Sequence, residues 1–405
     1  MSDIVSGTCD NKFNKLKQIF ISQFNNSHEL GASISVEYNG REVVNLFGGY
    51  EDQEKNKLWS NTTLVNVWSV SKAITGICIN KLIYEGKLDV NRKVEYYWPE
   101  YSCNGKSSTK VIDFLTHRSG MYGFQNGMPL TKWTNWNVFV SELEKQSPYR
   151  VPGQTQSYHA ITFAWLIGEL FKRAEGRSIG QYFKEEIAIP FDLDIHMGLT
   201  DDKIERCSDI FYKDIGKLGS QLNFIKLIPN FLLNKDLLNF KKSIISKDFK
   251  KAFDGSNFEK YDANSIEWRK AEVPSANFHA TASSLSKLFG ILATGCTRDG
   301  IILFDIDTLK KSIKVHSSDY DTVLFGSRIN FGYCFMLDLN HNHNNDYAPI
   351  IKDSAFGHSG IGGSVAFTDL KYNLGYAFVC NKQQKTKELY KTSNLLTQAL
   401  YKALS

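Results

Sequence analysis

The chain has 405 residues, 42% of them hydrophobic, with 48 basic and 43 acidic side chains and a formal charge of +5. That length buries a large core and allows either one two-lobed unit or two domains. The charge is mild and forms no basic stripe with interleaved aromatics, which argues against nucleic acid, and no run reaches the roughly 18 consecutive apolar residues of a membrane span.

Taken in chain order, an amphipathic helix is expected around Phe13 to Phe24. The first segment, MSDIVSGTCDNKFNKLKQIF, lacks the charged-then-apolar layout of a signal peptide, and its Asp3 and Asp10 without arginine do not suit an organelle-targeting peptide. ASISVEY, an Asn39-Gly40 turn and REVVNLFGG then give a strong hairpin signal.

Ser69-Val70-Ser71-Lys72 opens the run VWSVSKAITGICINKLIYEG. Residues three apart share a helix face, so Ser69 at the helix start and Lys72 in its first turn can touch. A serine hydroxyl is a weak nucleophile without such a base, and the unpaired N–H groups of a helix start can point toward a developing oxyanion. The helix behind them, rich in Val70, Ala73, Ile74, Ile77, Cys78, Leu82 and Ile83, reads as buried on most sides and stops at Gly86. Burial would lower the Lys72 pKa and leave a proton-accepting amine.

In VPGQTQSYHAITFAWLIGELFKRAEGRS, Tyr158 follows a Pro152-Gly153 turn and precedes an apolar-periodic helix that Gly176 ends, which places its phenol at a loop-to-helix junction. The stretch from Asp201 to Trp268 interleaves aromatics, aliphatics and lysines, as in LNFIKLIPNFLLNKDLLNFKK. It reads as a cap over the groove or as plain packing, with a membrane-surface helix as the other reading. Strands return in FGYCFMLDL, and FGHSGIGGSVAFTDLKYNLGYAFVCN reads as a hairpin with strands near Ser364 to Phe367 and Leu374 to Val379. His358-Ser359-Gly360 leads into its first strand, and a final helix runs from about Thr386 with Leu389, Ser393, Leu396, Leu400 and Ala403 on one stripe. The two ends are expected to share one antiparallel sheet flanked by helices.

With these blocks in this order, the chain resembles the β-lactamase-related serine hydrolases, the superfamily of class C β-lactamases, penicillin-binding proteins and their esterase relatives. Ser69 and Lys72 match S-x-x-K, Tyr158 matches the tyrosine of Y-x-N, and His358-Ser359-Gly360 stands where K-T-G would be. ASISVEYNGREVVNLFGGY, DFLTHRSGM, YHAITFAWLIGE and SANFHATASSLSKL look like segments of the "β-lactamase domain-containing" esterase branch. The likeness runs from about Gly31 to the C-terminus and leaves only a middle stretch unmatched.

The resemblance implies an α+β, β-lactamase/transpeptidase-like fold: a discontinuous sheet lobe of residues 1–68 and 275–405, and a mainly helical lobe of 69–274 holding the cap-like segment 201–268, with the active site between them. It implies Ser69 as acylated nucleophile, Lys72 and Tyr158 as the groups that move its proton, and the N–H groups of Ser69 and Ile361 as oxyanion hole. Tyr158 would serve as base or relay if Lys72 depressed its pKa. His358, Ser359 and Gly360 would contact substrate, and Trp68 would line the pocket or simply pack. Ala160 replaces the asparagine of Y-x-N, and His358 exchanges a permanent cation for a group largely neutral near pH 7. Both changes weaken the case for a penicillin carboxylate and favour uncharged esters, or amides of another kind.

The other candidates are weaker. His117 in DFLTHRSG reads as structural, and His159 would face away if Tyr158 faces in. His341 and His343 form an H-x-H without a third ligand of sensible spacing, so a solvated loop is expected and neither a metal nor another cofactor. The seven cysteines are scattered without C-x-x-C, which reads as reduced thiols in a cytoplasmic protein.

The leading function is a carboxylesterase-like serine hydrolase acting on a small-molecule ester or amide. The alternatives are a β-lactamase or D,D-peptidase, and, in another class, a scaffold or self-assembling protein that retains the fold. Intact Ser69, Lys72 and Tyr158 argue against a pure scaffold, although a protein that acylates and never deacylates would carry the same three residues.

Overall fold

In the computed structural model the described residues are 4–129, 131–211, 226, 228–253, 262–324, 326–337, 346, 348–352, 354–384 and 388–405. Among them, one antiparallel sheet runs in the order β1 (Val5–Cys9), β3 (Arg41–Gly49), β2 (Gly31–Tyr38), β14 (Leu374–Cys380), β13 (Val365–Asp369), β12 (Ala355–Ser359), β11 (Met336–Leu337), β10 (Arg328–Phe331), β9 (Ser317–Tyr320). β2 from the chain's start pairs β14 from its end, Ile34 opposite Phe378, so the sheet is closed only when both termini are in place.

The hairpin β2/β3 turns at Asn39 and Gly40, whose φ values of 50° and 75° are the two left-handed residues that a tight hairpin turn requires. Strand alternation sorts side chains to two faces. Leu374, Tyr376 and Phe378 of β14 and Ile34 and Val36 of β2 meet Leu16 and Phe20 of α1 (Asn14–Asn25) and Leu396 and Leu400 of the Lys391–Leu404 helix. The opposite face carries Ala377 and Val379 into the larger core, beneath the Ala282–Ala293 helix. Ser35 on that face meets the Ser286 hydroxyl at 2.6 Å. Burial on both sides explains why LGYAFVC reads as an unbroken apolar run instead of an alternating one.

A short sheet, β4 (Val65–Asn66), β6 (His279–Ala280) and β5 (Ile195–His196), anchors the start of α2 (Val70–Tyr84), while β7 (Thr297–Arg298) and β8 (Ile301–Ile302) form a ribbon. The segment after α2 is largely helical. Its Phe163–Glu175 helix puts Trp165 between Phe139, at 4.1 Å, and Trp133, at 6.0 Å, and ends at Gly176 with φ 95°.

Three expectations need correction. His358-Ser359 does not lead into the hairpin but belongs to β12, a further strand pairing β13 (His358 opposite Ala366), so the region is a three-stranded meander. FGYCFMLDL divides at Cys334, whose φ is 63°, into β10 and β11, and residues 338–345, with His341 and His343, lie outside the described ones. The last helix starts at Lys391 instead of near Thr386; the Tyr390 N–H is committed to Asp346 O at 3.0 Å, and 385–387 lie outside the described residues.

Gly375 of β14 is where the Ala282–Ala293 helix touches the sheet: a Cβ there would run into the backbone of Ser286 and Gly290. Gly375→Ala is therefore expected to lower the unfolding free energy by about 2 kcal/mol, the usual scale of overpacking. Urea unfolding would read this, and an unchanged midpoint would contradict the close approach.

Candidate active site

The start of α2 is held in an unusual shape. Trp68 sits at φ 50°, a left-handed conformation that costs a non-glycine residue about 1–3 kcal/mol and persists only where neighbours over-determine it. Here they do: the Trp68 N–H donates to Asn66 Oδ1 (2.9 Å), the Val67 N–H to Phe278 O (3.0 Å), and the Phe278 N–H to Ser71 Oγ (3.0 Å). Trp68 is 3% exposed and its indole packs 6.1 Å from that of Trp268.

Ser69 follows at the N-cap of α2. Ser178, Asn234, Ser265, Thr281 and Asp305 all cap their helices with the side chain. The Ser69 hydroxyl does not; it lies 3.1 Å from Lys72 Nζ instead. Lys72 is fully buried, with two further partners, the carbonyls of Ala160 at 2.9 Å and Ser275 at 3.0 Å. Burial drives its pKa well below that of a free lysine, offset slightly by the Cys334 thiol. Lys72 Nζ donates to both carbonyls and to Ser69 Oγ; once deprotonated, with Ala160 O and Ser275 O still taking its two N–H groups, it would turn its lone pair to the Ser69 O–H.

Tyr158 is 4% exposed, within side-chain hydrogen-bonding reach of Ser69, and its ring centroid lies 4.8 Å from Lys72 Nζ. The expected depression of its pKa by Lys72 is overturned. Burial raises it instead, because the desolvated phenolate is the disfavoured form, and the hydrogen bond to Ser69 offsets this only in part. Tyr158 is thus a phenol that can give a proton. Its ring rests on His117, at 4.8 Å, and Phe331, at 6.5 Å. His117 Nδ1 accepts from the His159 N–H at 3.1 Å, and the His159 ring faces Ser119 Oγ at 2.6 Å, away from the nucleophile.

The 358–361 segment meets this group from β12. Gly360 leaves no room for a Cβ against Val67 O, and one on Gly362 would lie 3.2 Å from the Trp68 indole, so the turn is packed directly on the residues that precede Ser69. Neither the Ser69 nor the Ile361 N–H donates to a partner among the described residues. The Tyr390 phenol reaches in beside them, 3.2 Å from Ser359 Oγ and 3.1 Å from Gly360 O. The His358 ring is 1% exposed and 6.0 Å from that of Tyr158. Its Nδ1 meets Ser359 O at 2.8 Å, its Nε2 has no hydrogen-bond partner among the described residues, and burial, aided by Lys72, brings its pKa down to about 3. His358 therefore presents an acceptor lone pair and no charge.

The sequence reading missed Ser275, Tyr390 and Asp321, the last of which holds the Tyr158 N–H at 3.1 Å. The first acts through a carbonyl, which no side-chain pattern encodes. A separate cavity of about 270 Å³, lined by Trp133, Trp136, Lys172, Glu272 and Pro274 among others, includes none of Ser69, Lys72 and Tyr158. Among the described residues no His/Cys/Asp/Glu cluster could hold a metal, and no helix is long and apolar enough to cross a membrane.

Comparison with known proteins places this geometry. The chain matches the Beta-lactamase family model over residues 16–400 and belongs to that family. It is 26% identical over 386 residues to "Esterase/beta-lactamase LipL" of Mycobacterium tuberculosis, covering 93% of this chain and 83% of LipL. Its fold is similar to that of a penicillin-binding protein homologue from Caulobacter crescentus (TM-score 0.84, 30% identity, 98% and 99% of the two chains covered). It also resembles a family VIII carboxylesterase (TM-score 0.83, 27% identity, the same coverage). This is a β-lactamase/transpeptidase-like fold in a hydrolase family whose relatives include carboxylesterases.

If the amine of Lys72 is the base, the rate at which a fluorophosphonate labels Ser69 falls as pH drops through the lowered Lys72 pKa and is flat above it. The plateau is expected to begin well below pH 10.5, and Lys72→Arg, which cannot deprotonate, is expected to abolish labelling. A rate still climbing at pH 10.5 would exclude the buried-amine base.

Proposed function

We propose that this protein is a metal-independent serine hydrolase of uncharged carboxylic esters that works through an acyl-enzyme on Ser69. The observation that carries the reading is the Lys72 amine held by two carbonyls with the Ser69 hydroxyl at 3.1 Å. Substrate enters the groove between the sheet lobe (1–68 and 275–405) and the helical lobe (69–274). Its carbonyl oxygen takes the free N–H groups of Ser69 and Ile361, a donor pair that strengthens as the oxygen gains charge.

Lys72 accepts the Ser69 proton while Oγ bonds the acyl carbon. The tetrahedral intermediate then collapses, the bond to the alcohol oxygen breaks, and that oxygen takes the Tyr158 proton; Tyr158 recovers one from the Lys72 ammonium. Water then attacks the acyl carbon and gives a proton to the same pair; the bond to Ser69 Oγ breaks, Oγ takes that proton back, and the carboxylic acid leaves. A neutral His358 offers no fixed cation for a substrate carboxylate, which supports uncharged esters.

Intact mass after fluorophosphonate treatment is expected to show one adduct, lost in Ser69→Ala together with p-nitrophenyl butyrate turnover. Folded wild-type protein with neither adduct nor turnover would remove the hydrolase reading and favour a scaffold. LipL's name pairs esterase with β-lactamase, so β-lactam hydrolysis is the second reading. His358→Lys would supply the missing cation and is expected to speed acylation by a chromogenic cephalosporin; an unchanged rate would show that charge at this position does not set the preference.

A further inference from the structure

Asp321 has no step in the reaction above, yet it is fully buried and acts on the backbone that presents Tyr158. Its Oδ1 accepts the N–H groups of Tyr158 (3.1 Å), Val323 (2.9 Å) and Leu324 (2.9 Å). The surrounding contacts join the same two segments. The Thr322 N–H donates to Gln156 O at 3.3 Å, the Ser157 and Thr322 hydroxyls are 2.8 Å apart, and Gln156 Nε2 donates to Ile329 O at 3.2 Å. From behind, Ser243 of the Lys235–Ser246 helix donates to Thr322 O at 2.7 Å.

Asp321 forms no ion pair among the described residues, and burial pushes its carboxyl up to about 6. An unpaired buried acid is a costly way to close a turn. What it gives in return is three N–H bonds to a single oxygen, of the strong, charge-assisted kind when the acid is ionised, and one of them fixes the residue whose phenol must meet Ser69.

We propose that Asp321 is the positioning residue of Tyr158, clamping the 156–158 turn to the 321–324 loop so that the phenol stays in reach of the departing alcohol. This rests on the hydrolase reading above. The clamp matters only when the leaving group needs a proton: an ethoxide does, whereas p-nitrophenolate leaves without one. A merely structural role would depress both esters alike.

The test compares kcat/KM, which reports acylation, for ethyl butyrate and p-nitrophenyl butyrate in wild type, Tyr158→Phe, Asp321→Ala and Asp321→Asn. Asp321→Ala is expected to lose about 100-fold on the ethyl ester, the lower end of a general acid's contribution, and less than about threefold on the aryl ester, in the direction of Tyr158→Phe. Asp321→Asn keeps an acceptor oxygen without charge and is expected to lose about tenfold on the ethyl ester alone; it decides the matter if Asp321→Ala does not fold. Equal losses on both esters, or no loss, in a folded Asp321 variant would overturn the clamp while leaving the hydrolase reading intact. Wild type inactive on both esters, or Tyr158→Phe without a split, would remove the hydrolase or proton-donor reading itself, and the clamp with it.

Discussion

The arrangement depends on one buried amine. A lysine taken fully out of water is costly as an ammonium, and burial lowers the Lys72 pKa accordingly. The two carbonyls around Lys72 Nζ make the neutral state directional, because Ala160 O and Ser275 O occupy both N–H donors. The Ser69 hydroxyl lies 3.1 Å from the same nitrogen. Desolvation favours the deprotonated amine and backbone geometry supplies the aim.

The supports of that amine come from parts of the chain far apart in sequence. Ala160 lies at the turn before the Phe163–Glu175 helix; Ser275 lies just before β6, the strand that pairs β4 ahead of Trp68. Thr75 of α2 adds a hydrogen bond to Pro274 O at 3.0 Å, so the helix carrying Lys72 and the segment offering Ser275 O are fixed to each other twice. The strained Trp68 then sets the exit of β4 so that the Ser69 N–H stays unpaired beside the Gly360–Gly362 turn. Strain at Trp68, burial of Lys72 and close packing at Gly360 are three costs concentrated at one helix start, as expected where geometry serves chemistry more than stability.

Much of this was legible from residue patterns. The Val70–Tyr84 helix announced itself by its apolar run and Gly86, the β2/β3 hairpin by Asn39-Gly40, and β14 by LGYAFVC. Ser69, Lys72 and Tyr158 were nameable, and the structure brings them together. The short β12 was not, because its glycine and histidine carry no strand signal, even though its partner β13 follows directly in the chain. Ser275 and Ala160 act through carbonyls that every residue owns. Asp321 was one acid in a loop, its importance fixed by which N–H groups tertiary folding turned toward it. The Tyr158 titration was misjudged for a related reason: a neighbouring lysine suggests a positive charge, but only burial tells whether that lysine keeps it.

The same reasoning bears on what the site can recognise. Burial lowers the Lys72 pKa, raises that of Tyr158 and brings His358 down to about 3, so each of the three side chains around Ser69 is pushed toward its uncharged form. With its Nδ1–H given to Ser359 O, His358 keeps a buried Nε2 lone pair without a partner among the described residues, an acceptor that repels a carboxylate and suits a hydroxyl or N–H. Under the proposed reaction the developing oxyanion would then be met by two backbone dipoles and no cation. Such dipoles count for little in water and far more in a dry site. Under that reaction the deep burial of Lys72, Tyr158 and His358 would do two things: favour the deprotonated amine, and let two N–H groups suffice for the charge on the oxyanion.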